Sequence, residues 1–173
     1  MTDIFIDSSD LIEITDLRKN PLVHGFTTNP SLMKKAGVVD YREFCKQVVE
    51  ITDKPVSFEV FADDFVAMER QADIISSWGE NVYVKIPIVN SQGLSSVPLI
   101  NTLTRRMQLN VTAVFGLIGD KEIIPKRSMI VSIFAGRIAD TGRDPARFFN
   151  HAINAEYLWA STREVFNIFQ AEK

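Results

Sequence analysis

Short apolar runs alternate with amphipathic stretches along the whole chain, and this alternation limits the possible folds more than any other feature. Runs rich in β-branched and aromatic residues, separated by segments of helical periodicity, mark βα units on a parallel sheet. Strand-like runs are predicted at residues 4–7, 23–27, 56–61, 81–89, 110–115, 129–134 and 156–160. Helical stretches follow them, beginning near Ser8 to Asp10, at Asn29-Pro30, and at Asp63 or Asp64. Asn29-Pro30 and Asp144-Pro145 are each a capping side chain followed by the proline that a first helical turn tolerates. Tyr41, Phe44, Cys45, Val48 and Val49 recur at helical spacing, which places Cys45 in the core.

Seven units of about 25 residues favour a small (β/α) barrel over an open sheet. A doubly wound nucleotide-binding fold would need a glycine-rich turn after the first strand, and Asp7-Ser8-Ser9-Asp10 contains no glycine. The expectation is therefore an α/β, TIM-type barrel forming a single domain over residues 1–173, one βα unit short of eight. Composition restricts function as well. A net charge of −3 gives no general attraction to nucleic acid or to an anionic membrane. No apolar run reaches the roughly 18 residues of a membrane span. The single cysteine excludes an internal disulfide framework, and the acidic first residues do not read as a signal peptide. Both fit a cytoplasmic protein.

The run N-V-Y-V-K-I-P-I-V at 81–89 carries Lys85 at its centre. Lysine is seldom buried unless paired or put to use, and desolvation of a buried lysine favours the neutral, nucleophilic amine. The alternative is an edge-strand lysine that discourages association between sheets. Strand parity bears on the choice, because successive side chains point to opposite faces. Lys85 inside sends Val82, Val84 and Ile86 to the helix layer. The same rule puts Asp7, Ser57, Glu59, Asn110, Thr112, Ser132 and Phe134 inside, and Ile4, Ile6, Phe58, Val60, Val111, Ala113, Val131 and Ile133 outside. Polar interior groups near the C-terminal strand ends are where barrels build active sites. A lysine with two carboxylates suits imine chemistry: the amine attacks a carbonyl and the acids move protons. A buried ion cluster without chemistry is the competing reading, and it carries a desolvation cost. His24 and His151 are too few for a histidine-rich metal site.

Seven segments carry a family likeness: F-I-D-S-S-D, F-T-T-N-P-S-L, V-S-F-E-V, V-Y-V-K-I-P, N-V-T-A-V-F, S-I-F-A-G-R-I-A-D and L-W-A-S-T-R. In this order the chain resembles the transaldolase family, in particular its small members, the group that also contains fructose-6-phosphate aldolase. The resemblance implies a class I aldolase-like barrel and a reaction without a cofactor or metal. Lys85 matches the Schiff-base lysine. Asp7 matches the aspartate that exchanges the proton of the sugar C4 hydroxyl. Glu59 and Thr112 match the pair that holds the water of imine formation and hydrolysis. Thr28 and Asn29 fall in the second segment; Asn29 and Asn110 match asparagines that bind the dihydroxyacetone portion. Ser132, Arg137, Ser161 and Arg163 match the phosphate-binding group, a role that suits guanidinium chemistry.

Two positions divide the family. The aldolase branch has glutamine where Glu59 stands and tyrosine where Phe134 stands, so the resemblance implies transfer of a dihydroxyacetone unit between sugar phosphates. A lyase of the fructose-6-phosphate aldolase type is the alternative. Relatives also continue past the seventh strand into an eighth strand and a terminal helix. They carry longer helices where this chain has residues 116–128 and before Glu156. A non-catalytic sugar-phosphate binder on the same fold is therefore a third expectation. The resemblance further implies a homo-oligomer.

Overall fold

The computed structural model describes residues 2–117, 123–149 and 153–172. Seven parallel strands are hydrogen-bonded in sequence order: β1 Ile4–Asp7, β2 Val23–Thr27, β3 Val56–Glu59, β4 Val82–Pro87, β5 Gln108–Val114, β6 Met129–Ile133 and β7 Glu156–Trp159. The helices are α1 Leu11–Leu17, α2 Pro30–Lys35, α3 Tyr41–Ile51, α4 Phe65–Ser76, α5 Val97–Leu103, α6 Ala135–Ala139 and α7 Phe166–Ala171, with a 3₁₀ turn at Pro145–Phe148. The loops entering the first four helices each end on a capping side chain. Asp10, Asn29, Asp40 and Asp64 accept from backbone N–H groups of the first turn. Each cap contributes about 1 kcal/mol and fixes where the helix after it begins.

The aliphatic face lies where parity puts it. Phe26, Phe58, Val84, Ile86, Leu109, Val111, Val131 and Ile133 are almost wholly buried, in one cluster with Ile14, Cys45, Val48, Met68, Ile100 and Leu103 of the helices. Each such side chain contributes roughly 1.5–3 kcal/mol by leaving water, so this layer holds the sheet against its helices.

The opposite face is concave. Asn110 on β5 donates to the Ser57 hydroxyl on β3 at 3.0 Å, across the intervening β4. Strands two places apart are about 9.6 Å from one another in a flat sheet, so short side chains meet across that gap only where the sheet curls. The curl gives an incomplete α/β barrel of the TIM type. No described strand pairs with the outer edges of β1 and β7. Between them lies an open cleft of about 620 Å³, walled by Phe5 on one side and by Tyr157 and Trp159 on the other.

The β1–β2 register shifts between Ile4 and Phe5, and parity fails within β5. The β5–β6 register shifts between Val111 and Val114, and Ala113 has φ +56°. This bulge turns Ala113 from the helix layer, where strict alternation predicts it, to the interior wall. Residues 118–122 and His151 lie outside the described residues. His24 sits at the surface and approaches Asp3 at 3.2 Å.

Candidate active site

Register assembles the site before any side chain is considered. Asp7 stands beside Thr27, Glu59 beside Lys85, and Lys85 beside Asn110, so neighbouring strands deliver their polar residues to one level. Asp7, Thr27, Glu59 and Lys85 line a cavity of about 420 Å³ at the C-terminal strand ends. The larger cleft between β1 and β7 contains none of the ionisable groups discussed below and shares only Phe5, Leu158 and Trp159 with this cavity.

Lys85 is 7% exposed. Its Nζ donates to the Thr28 carbonyl at 2.9 Å and lies 3.4 Å from Glu59 Oε2. The edge-strand alternative fails, because β4 is the central strand of the sheet. Glu59 is the carboxylate paired with the ammonium. Asp7 lines the same cavity with different partners: Thr27 donates to its Oδ1 and Asn29 to its Oδ2, both at 3.0 Å. The two acids are thus held separately, one by the amine and one by neutral donors.

Thr112 also lines the cavity, and its buried Oγ1 has no hydrogen-bond partner among the described residues. A buried hydroxyl without a partner is uncommon and needs an explanation. Asn110 is wholly buried: Ser132 donates to its Oδ1 at 2.7 Å while its Nδ2 donates to Ser57. Asn110 therefore faces its neighbours and fixes Ser132, which reaches the cavity wall. Thr28 is likewise buried and offers the lysine its carbonyl, while its hydroxyl donates to the Ser57 carbonyl.

The far end of the cavity is cationic and hydroxylic. Arg137 lies over the Phe134 ring, 5.3 Å from its centroid, and Phe134 meets Phe115 edge-on at 5.4 Å. Arg137, Phe134, Ser161 and Thr162 all line the cavity, but Arg163 does not. Its guanidinium pairs with Asp140 at 2.6 Å and bonds back to Ser161. The expected phosphate cluster of Ser132, Arg137, Ser161 and Arg163 is thus met on the cavity wall by three of its four members.

Sequence reasoning did not single out Thr27 or Trp159. Parity applied to 23–27 would have turned Thr27 inward with Asp7. Trp159 lies at the end of β7, stacked on Phe149 at 5.1 Å, with its buried Nε1 lacking a partner among the described residues. Among the described residues no group of three or more His, Cys, Asp or Glu is placed to hold a metal. No described helix is long and apolar enough to cross a membrane.

The model of the family Transaldolase/Fructose-6-phosphate aldolase matches residues 4–173. A "Probable transaldolase" of Chelativorans sp. (strain BNC1) is 35% identical over 175 residues, covering 96% of this chain and 79% of that protein. One of Thermoanaerobacter sp. (strain X514) is 32% identical over 180 residues, with 98% and 80% covered. One of Methanococcus maripaludis (strain C5) is 33% identical over 178 residues, again with 98% and 80% covered.

Proposed function

Because the chain belongs to the transaldolase/fructose-6-phosphate aldolase family, we propose that it transfers a dihydroxyacetone unit between sugar phosphates through a Schiff base on Lys85. The observation that carries this is the buried Lys85 ammonium, held in a cavity by one carbonyl and one carboxylate. Glu59 takes the Lys85 proton, and the neutral Nζ then attacks the C2 ketone of a ketose phosphate such as fructose 6-phosphate. Glu59, with Thr112, manages the water: protonation of the carbinolamine hydroxyl expels it and leaves the iminium. Asp7 takes the C4 hydroxyl proton, the C3–C4 bond breaks, and its electrons pass into the iminium to give an enamine. The aldose phosphate leaves. An incoming aldose phosphate accepts the enamine carbon, Asp7 returns the proton, and water releases the new ketose phosphate.

Asn29 and Asn110 order the dihydroxyacetone end, directly or through Ser132. Arg137 and Ser161 take the phosphate, whose planar oxygen pairs suit a guanidinium. Glu59 and Phe134, rather than glutamine and tyrosine, favour transfer over release of free dihydroxyacetone. The more than half-exposed Val165, Phe166 and Phe169 favour assembly as a homo-oligomer, since apolar patches of this kind mark interaction surfaces.

The test is a product analysis of protein given fructose 6-phosphate with and without erythrose 4-phosphate. Sedoheptulose 7-phosphate formed only with the acceptor supports the transferase. Free dihydroxyacetone formed without it assigns the lyase, and no product in either mixture, together with phosphate-dependent thermal stabilisation, assigns a sugar-phosphate binder.

A further inference from the structure

Ser57 does not line the Lys85 cavity, yet two of its groups lead there by separate routes. It is 1% exposed on β3, and register sets it beside Tyr83, one interior layer below Glu59 and Lys85. The first route uses its backbone. The Ser57 carbonyl accepts from the Thr28 amide at 3.2 Å and from the Thr28 hydroxyl at 3.0 Å, and the Thr28 carbonyl in turn takes the Lys85 ammonium. The second route uses its side chain. Ser57 Oγ accepts from Asn110 Nδ2 at 3.0 Å, and Asn110 Oδ1 accepts from Ser132 Oγ at 2.7 Å. Of these three, only Ser132 lines the cavity.

A wholly buried amide is costly to leave without partners. Ser57 meets one end of the Asn110 amide and Ser132 the other, so the amide cannot turn without giving up both bonds. Ser132 is thereby kept at one place on the cavity wall. We propose that Ser57 is a positioning residue for the donor sugar: its hydroxyl fixes Asn110, and through Asn110 sets Ser132 against the dihydroxyacetone hydroxyls, while its carbonyl separately secures the lysine. The inference rests on the Schiff-base reading of Lys85. Replacing the Ser57 side chain breaks the second route and leaves the first, because the carbonyl stays.

The test is reductive trapping on Lys85 with cyanoborohydride, read by mass spectrometry, using two ketones. Dihydroxyacetone has hydroxyls for Ser132 to meet, and acetone has none. Wild type is compared with Ser57→Ala, Ser57→Cys, Ser132→Ala and the double variant of Ser57→Ala with Ser132→Ala. Cysteine keeps the site filled, but its sulfur is a weak acceptor, so Ser57→Cys carries the test if Ser57→Ala does not fold. Half-maximal trapping by dihydroxyacetone is expected to need about tenfold more ketone in each Ser57 variant, the factor of one ordinary hydrogen bond. Acetone trapping and its pH profile should match wild type, because Thr28 still holds the lysine. The double variant should be no weaker than Ser132→Ala, since Ser57 reaches the ketone only through Ser132.

An equal loss with acetone, or a shifted pH profile, overturns the inference, because either marks a general loosening around Lys85. Additive losses in the double variant overturn it too. If wild type traps neither ketone, the Schiff-base reading falls and the inference with it. If wild type traps both and the Ser57 variants match it, the inference alone falls.

Discussion

A lysine ammonium withdrawn from water must recover its hydration from protein oxygens, and among the described residues Lys85 finds the Thr28 carbonyl and the Glu59 carboxylate. Removing one partner of a largely buried ion pair leaves the other charge uncompensated and is destabilising, whereas replacing both with apolar groups is often neutral. Lys85→Met should therefore abolish covalent trapping and lower the melting temperature, because Glu59 loses its partner, as differential scanning calorimetry will read. Glu59→Gln keeps a hydrogen-bonding group beside the amine but removes a proton acceptor. Turnover should fall about 10²- to 10⁴-fold, with a smaller change in KM. Lys85, Glu59, Asp7 and Thr112 were legible in the sequence because strand parity is a rigid rule wherever a strand is regular. The partners of each group were not. Which carboxylate pairs with the ammonium depends on curl and register, and the sequence does not state either. Asn110 and Thr28 illustrate the same limit: they sit at the expected positions but act on Ser132 and Lys85 rather than on the cavity itself.

The elements that shape the phosphate end are small and closely fitted. α6 is one short helix, and Gly136 within it leaves room for the Ser161 carbonyl. Gly136→Ala places a methyl group against backbone, so the loop must move. Destabilisation of about 1–3 kcal/mol, with loss of phosphate binding, is expected in parallel denaturation and calorimetry. The seven strands and their order were readable from alternation, and β1 and β2 begin and end where the pattern puts them. α6 was not foreseen as a helix, since A-G-R-I-A-D is too short for a periodicity to register. The bulge that turns Ala113 inward was equally hidden, because an alanine on a strand carries no mark of a left-handed backbone.

For the molecule as a whole, the layer between sheet and helices supplies the stability and the concave face holds the polar groups. Phe58, wholly buried on β3, belongs to that layer. Phe58→Ala should cost about 3–5 kcal/mol in urea denaturation. The same layer holds two acids in neutral form, Cys45 buried and Tyr41 half-buried. Burial pushes the Cys45 thiol well up from 9.0. Burial, then the nearby Cys45 and Glu59, push the Tyr41 hydroxyl well up from 10.0. Above these ordinary values the unfolded chain releases protons that the fold retains. Stability is thus full below about pH 9 and falls as pH rises, approaching roughly 1.4 kcal/mol per pH unit for each group; Cys45→Ala should flatten the first part of that slope. Among the described residues, every strand that lines the Lys85 cavity belongs to the one sheet that runs from β1 to β7. The most direct measurement is reduction of the protein with borohydride in the presence of fructose 6-phosphate, followed by peptide mapping by mass spectrometry. A reduced three-carbon or six-carbon adduct on Lys85, absent from Lys85→Met, is the predicted result. An unmodified Lys85 under conditions where the ketose phosphate measurably stabilises the fold would contradict it.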